Sequence, residues 1–127
     1  MKEKINVNYK FIDNKKKTTL LLLHGWGQNI EMMDIFTKNY QNYFNILVLD
    51  LPGFGKSEEP SYSWSLNDYT NYLHNLVDEL KIKELIIIGH SFGGRLALLY
   101  SSMYKVNKLV CLASPYCPEI KKKTFKS

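Results

Sequence analysis

Residues 84–94 read Glu84-Leu85-Ile86-Ile87-Ile88-Gly89-His90-Ser91-Phe92-Gly93-Gly94. The aliphatic run predicts a strand over residues 84–89 that is buried on both faces. Residues 92–103 have the apolar spacing of a helix. The pattern G-x-S-x-G at residues 89–93 therefore lies between a strand and a helix, which is the context that a nucleophile elbow requires.

The glycines around Ser91 have a steric explanation. A sharp turn from strand to helix strains the serine backbone, and side chains at Gly89 and Gly93, two positions on either side, would collide. Gly94 leaves room for the helix to approach the sheet. The turn also places the Phe92 N–H at a helix N-terminus, where it can face a developing oxyanion. The alternative is a glycine-rich turn whose serine has no chemical role, and the flanking strand and helix disfavour it.

The rest of the chain alternates short apolar runs with helical patterns. Two runs flank a polar segment and predict a hairpin, namely residues 7–12 and 18–23. A capping box, Ser65-Leu66-Asn67-Asp68, predicts the start of a strong helix. Further elements are predicted as a helix over residues 30–43 and strands over residues 45–51 and 108–113. This alternation predicts an α/β fold, with a mostly parallel sheet and helices on both faces.

A second turn follows the predicted strand of residues 18–23 and reads His24-Gly25-Trp26-Gly27. In open α/β sheets the ligand site lies outside the carboxyl ends of the strands, where this turn and Ser91 both fall. The Trp26 N–H could complete a two-donor oxyanion hole with that of Phe92. The structural alternative is a tight turn, and for His24 we prefer this alternative, with the ring bound to the local backbone.

Length, composition and hydropathy argue against membrane-spanning, secreted and disulfide-rich proteins. The chain has 127 residues, 45% of them hydrophobic, which indicates one globular domain. Its longest aliphatic runs, residues 20–23 and 85–88, are far shorter than the ~20 residues of a membrane span. The charged N-terminus has no apolar signal region, and two cysteines, Cys111 and Cys117, are too few for a disulfide framework. We therefore expect a cytoplasmic protein without a membrane partner.

Neither nucleic acid nor a nucleotide cofactor is expected. The net charge of +5 comes from lysine runs at residues 15–17 and 121–123, and Arg95 is the single arginine. Such runs are usually solvated surface. Residues 55–57 resemble the end of a phosphate-binding loop, but Asp50 stands where that motif needs glycine. The two cysteines, Cys111 and Cys117, also lack the spacing of metal ligands, so we expect no metal.

Three motifs in order resemble the α/β-hydrolase superfamily. They are the turn at His24, the segment Asp50-Leu51-Pro52-Gly53-Phe54-Gly55-Lys56-Ser57, and the elbow, which is similar to that of small cofactor-free esterases and carbon–carbon bond hydrolases. The resemblance implies that Ser91 is the nucleophile, that Trp26 and Phe92 supply the oxyanion hole, and that Asp50 orders its loop. It implies a small ester-like substrate. A serine nucleophile disfavours the aspartate-dependent epoxide hydrolases and dehalogenases of this fold.

The chain departs from the family after Ser91. Family members place an acid and then a histidine after the serine. Here neither Asp nor His follows Ser91, Glu119 is the only later acid, and the histidines are His24, His74 and His90. We therefore expect the triad acid and base to be missing and ordinary turnover to be absent, unless His24, whose strand should neighbour that of Ser91, serves as base.

The resemblance also predicts how the chain is organised. Residues 1–114 correspond to the N-terminal part of the hydrolase core, ending after about the sixth strand, and residues 115–127 to the start of a lid or a tail. The strand of residues 108–113 would then have an unpaired outer edge, which predicts self-association. The alternative function is a non-catalytic binding module, or the product of a degenerate gene.

Overall fold

The computed structural model describes residues 4–112. They form five strands, β1 (Tyr9–Ile12), β2 (Thr18–Leu23), β3 (Asn45–Leu49), β4 (Glu84–His90) and β5 (Lys108–Leu112). A 3-10 turn at Ile30–Met33 runs into helix α1 (Asp34–Tyr40), followed by α2 (Leu66–Glu79) and α3 (Phe92–Met103). Residues 113–127, including the predicted lid segment, lie outside the described residues.

The five strands form one sheet in the order β1-β3-β2-β4-β5. Strands β2 to β5 are parallel, and only β1 runs antiparallel, against β3. The prediction of a mostly parallel sheet is therefore confirmed. Strands β2 and β4 are neighbours, with Leu23 opposite Gly89. This register brings the two turns that follow these strands side by side.

The predicted hairpin between residues 7–12 and 18–23 is wrong. Strand β1 pairs with β3, from Tyr9 opposite Leu49 to Ile12 opposite Ile46. Strand β2 is almost wholly buried and lies in the middle of the sheet, whereas β1 is half exposed and lies at its edge. Burial therefore outweighed sequence proximity in the choice of partner, because a fully apolar strand is stabilised most between two others.

The helices cover both faces of the sheet, as predicted. Helices α2 and α3 pack on one face, over a core that includes Leu21, Leu23 and Leu47. The 3-10 turn and α1 cover the other face, where the alternate residues Leu20 and Leu22 point. None of the helices described is long and apolar enough to cross a bilayer.

The predicted start of α2 agrees with the structure, whereas the helix predicted over residues 30–43 differs from it. The capping box of α2 is confirmed, since Ser65 Oγ accepts the Asp68 N–H at 3.2 Å and the Asp68 carboxylate accepts the Ser65 N–H at 2.8 Å. The helix predicted over residues 30–43 is shorter. It begins as a 3-10 turn and ends at Tyr40, because the N–H groups of Tyr43 and Phe44 both bond to the Tyr40 carbonyl and turn the chain towards β3.

Candidate active site

Ser91 occupies a strained turn between β4 and α3. Its backbone angles are φ 56° and ψ −112°, a conformation that costs a non-glycine residue on the order of 1–3 kcal/mol. A Cβ atom at Gly89 would lie 2.3 Å from the Gly93 carbonyl oxygen, and one at Gly93 would lie 2.3 Å from that of Leu23. A side chain at either position would collide with backbone atoms, which cannot move aside as a flexible side chain could. Both positions therefore require glycine.

Neighbouring backbone groups stabilise this strained turn. The Ser91 N–H donates to the Leu112 carbonyl of β5 at 2.9 Å. The Ser91 carbonyl accepts the N–H groups of Gly94 at 2.8 Å and Arg95 at 3.2 Å, which begins α3. The Cys111 thiol donates to the buried Gly94 carbonyl at 3.7 Å. Strand β5 thus contributes directly to the geometry of the elbow.

The two predicted oxyanion donors belong to adjacent turns. The Trp26 and Phe92 rings are in edge-to-face contact, with centroids 4.9 Å apart. Within residues 4–112, neither the Trp26 N–H nor the Phe92 N–H donates to another backbone or side-chain group. Both N–H groups are therefore without a partner in this part of the chain.

Sequence reasoning missed Gln28, which links these two turns. Its side-chain oxygen accepts the Gly25 N–H at 2.9 Å and lies 3.2 Å from His90 Nδ1. A lone glutamine after a glycine turn carries no motif, so only the folded structure shows the link.

The His24 side chain is fully buried and bound to backbone, as preferred from the sequence. Its Nε2 accepts the Leu51 N–H at 2.9 Å, so the proton lies on Nδ1, which donates to the Gly25 carbonyl at 2.6 Å. Burial lowers the His24 pKa and outweighs the raising effects of the Gly25 carbonyl and of Asp50. Both ring nitrogens are engaged by backbone, which argues against His24 as the base for Ser91.

The Asp50 carboxylate organises the loop after β3. It accepts the N–H of Ile30 at 2.6 Å, the N–H of Lys56 at 2.9 Å, and the side-chain amide of Asn8 at 2.8 Å. Burial raises the pKa of Asp50, but the hydrogen bonds from Asn8, Lys56 and Ile30 outweigh it, so the pKa lies below its usual value. A Cβ at Gly55 would lie 2.3 Å from the Asp50 carboxyl carbon. These contacts support a structural role for Asp50.

The third histidine, His74, lies on α2 and contacts Tyr100 in the C-terminal half of α3, whereas the elbow lies at the N-terminus of α3. The His74 ring stacks on Tyr104, with centroids 3.7 Å apart and planes within 2°. Nothing in these contacts connects it with Ser91. Within residues 4–112, no three His, Cys, Asp or Glu side chains lie close enough together to hold a metal ion.

An aromatic cleft of about 440 Å³ lies beside the Trp26 turn. Trp26 is 64% exposed and packs against Phe54, with ring centroids 4.7 Å apart. On the α2 side, Tyr69 contacts both Trp64 and Phe92, at centroid distances of 5.2 and 5.7 Å. Phe92 directly follows Ser91, and its ring contacts Trp26 and Tyr69, which both line the cleft.

The fold and the order of the turns match a known family. The family model described as alpha/beta hydrolase fold matches residues 18–124. The chain belongs to the alpha/beta hydrolase fold family. In this hydrolase-fold chain the match begins at β2 and includes every turn described above.

The relatives of this alpha/beta hydrolase chain include a named esterase. A pimeloyl-[acyl-carrier protein] methyl ester esterase of Pectobacterium carotovorum is 34% identical over 102 residues, which cover 79% of this chain and 38% of that protein. The abhydrolase domain-containing protein abhd-5.2 of Caenorhabditis elegans is 30% identical over 108 residues, covering 80% and 24%. Both relatives are much longer than this chain.

Solved structures show the same fold. An esterase from Exiguobacterium antarcticum superimposes with a TM-score of 0.75 at 22% identity, covering 84% of this chain and 41% of that one. The alpha/beta hydrolase chain therefore spans less than half the length of this structure and of both relatives.

Proposed function

We propose that this chain carries the nucleophile and the oxyanion hole of a serine hydrolase. The observation that carries the proposal is the φ of 56° at Ser91, between two glycines that backbone atoms prevent from having a side chain. A binding protein has no need of a strained serine at this position, whereas a nucleophile must project from the sheet into its substrate.

The proposed reaction is attack by Ser91 Oγ on the carbonyl carbon of an ester-like substrate. The oxyanion that forms accepts the N–H groups of Trp26 and Phe92. Collapse of the tetrahedral intermediate expels the alcohol and leaves an acyl-serine, which water then hydrolyses to the carboxylic acid and free Ser91. Removal of one oxyanion donor typically lowers turnover ~10²–10³-fold.

The serine proton needs an acceptor that the described site does not supply. His24 uses both ring nitrogens for backbone, and no His or Asp follows Ser91 in the sequence. We propose that the acid and histidine of the triad come from residues beyond this sequence. A serine hydroxyl without a base is a poor nucleophile, so the 127-residue chain should lack ordinary turnover.

The aromatic cleft supports a substrate with an apolar group. Its wall includes Trp26, whose backbone N–H is one proposed oxyanion donor, and Phe54. An acyl or alcohol group that lies against these rings would remove apolar surface from water while its carbonyl faces Ser91.

Hydrolysis of a p-nitrophenyl ester tests the proposal. The 127-residue chain should hydrolyse it no faster than its Ser91→Ala variant, because the base is missing. A protein extended by the reading frame beyond the Ser127 codon, with a later Asp and His, should hydrolyse the ester and lose that activity on Ser91→Ala. Turnover by the 127-residue chain that Ser91→Ala abolishes would contradict the missing base.

A fluorophosphonate probe separates the two function classes. Labelling of Ser91, lost in Ser91→Ala, would support the enzyme. A stop codon after Ser127 together with no labelling would instead favour the non-catalytic binding module or a degenerate gene product.

A further inference from the structure

We propose that Gln28 is a positioning residue that holds the turn after β2 against the elbow, and so sets the separation of the Trp26 and Phe92 N–H groups. The inference rests on the proposed function, since it assigns these groups to the oxyanion hole. It adds a residue that touches neither Ser91 nor the expected substrate carbonyl, and that acts through the two turns.

Gln28 closes the turn that contains Trp26 in two ways. Its backbone N–H donates to the Gly25 carbonyl at 3.1 Å, and its side-chain Oε1 accepts the Gly25 N–H at 2.9 Å. Gly25 is therefore bound through both of its backbone polar groups. A Cβ at Gly25 would lie 2.7 Å from Gln28 Oε1, so the glycine is what lets the amide approach.

The same oxygen also reaches the elbow. His90, directly before Ser91, has its Nδ1 at 3.2 Å from Gln28 Oε1. The Gly25 N–H can only donate, which requires the oxygen rather than the nitrogen of the amide to face it. His90 Nδ1 must then carry a proton in order to donate to that oxygen. One oxygen thus accepts a donor from each turn, and His90 is held as the Nδ1–H tautomer.

The bridge that the Gln28 side chain forms between the two turns bears on the geometry of the proposed oxyanion hole. The turn after β2 contains Gly27, with φ 76°, and Trp26, a residue that is 64% exposed. The Trp26 ring also makes edge-to-face contacts with Phe54, in the loop after β3, and with Phe92, in the elbow. Such contacts restrain an indole ring but do not orient a backbone N–H. Oxyanion stabilisation needs donors that are oriented before the charge develops, and the Gln28 amide meets that need.

The bridge itself is tested by nitrogen NMR of histidine in the 127-residue chain. In the wild type, His90 should show the Nδ1–H tautomer, and the Gly25 amide should exchange slowly with solvent. Gln28→Met, of similar length but without an amide oxygen, should change the His90 nitrogen shifts and speed the exchange of Gly25. Gln28→Glu, which keeps an acceptor oxygen, should preserve both signals.

Gln41→Met is the matched control. Gln41 follows α1, and its side chain makes no hydrogen bond within the described part of the chain. This variant should leave both NMR signals unchanged. A wild-type His90 in the Nε2–H tautomer would overturn the proposal without any variant, so it remains testable even where Gln28→Met fails to fold.

The rate at which a fluorophosphonate labels Ser91 in the protein extended beyond the Ser127 codon, with its later Asp and His, tests the positioning role. Gln28→Met should slow labelling by about 10–100-fold, the scale of a misplaced catalytic group. Gln28→Glu and Gln41→Met should label at close to the wild-type rate. A wild-type rate in folded Gln28→Met would overturn the role. A wild type that does not react at all contradicts the proposed function instead, while the NMR signals still decide whether Gln28 bridges the turns.

Discussion

His24 shows how a single residue can resemble a catalytic group and serve the fold. It follows β2, the strand beside that of Ser91, which is where a base would be useful. Yet its ring is fully buried, and both nitrogens bond to backbone, one of them to the Leu51 N–H beyond β3. The ring therefore satisfies buried polar groups that would otherwise cost about 1–3 kcal/mol each.

The lowered pKa of His24 predicts how stability depends on pH. Because burial favours the neutral ring, the unfolded chain binds the proton first. The stabilisation is complete above the ordinary His pKa of about 6.5 and decreases as the pH falls below it. His24→Gln, whose Oε1 can still accept the Leu51 N–H, should be less stable at pH ~7.5 but lose less between pH ~7.5 and ~5.5. Urea denaturation at both values measures this, and equal losses in the two proteins would contradict it.

At the scale of the element, helix α2 supports the candidate site through its first turn, which begins at the N-terminal cap. The helix buries Tyr69, whose hydroxyl donates to the Pro52 carbonyl at 3.0 Å in the loop after β3. Tyr69 also contacts Phe92, at 5.7 Å between centroids. The first turn of α2 therefore supports both the loop and the elbow, and its cap helps to keep Tyr69 in place.

Removal of the α2 cap should lower stability by a measurable amount. Ser65→Ala deletes the acceptor of the Asp68 N–H and should cost about 1 kcal/mol. Ser63→Ala serves as the control, because Ser63 is exposed and makes no side-chain hydrogen bond within the described residues. Chemical denaturation should give a lower midpoint for Ser65→Ala alone. Equal midpoints for the two variants would show that the cap contributes nothing.

At the scale of the whole molecule, the sheet has two different edges. Strand β1 closes one edge and runs antiparallel to the rest. Strand β5 closes the other, and within residues 4–112 no strand pairs with its outer side. The inner side of β5 pairs with β4, and its Leu112 carbonyl accepts the Ser91 N–H. An apolar strand with one unpaired side can pair with another chain.

We propose that the 127-residue chain self-associates through β5. Its weight-average sedimentation coefficient should rise with concentration, because pairing of edge strands is a bimolecular equilibrium. Analytical ultracentrifugation over a wide concentration range measures this. A single monomer boundary at the highest concentration would contradict the proposal.

Local patterns were enough to predict the centre of the fold. At the elbow, Gly89 is required by the Gly93 carbonyl four positions later, and the α2 cap depends on a pair three positions apart; the collision that requires Gly93, with the Leu23 carbonyl, comes instead from the neighbouring strand. The parallel arrangement followed from fully apolar strands that alternate with helices. Such features are set by neighbours in the chain, so the sequence by itself determined the elbow, the helix start and the fold class.

The partner of β1, the second bond of His24 and the bridge by Gln28 were decided only by the tertiary structure. His90 and Gln28 lie 62 residues apart, and His24 and Leu51 lie 27 apart. No periodicity or motif marks such pairs, because they form only when the sheet brings separate strand ends together. The sequence determined which turn holds the serine. Packing determined the groups around that turn, because burial of the apolar strands fixes the strand order, and the strand order fixes which turns lie side by side.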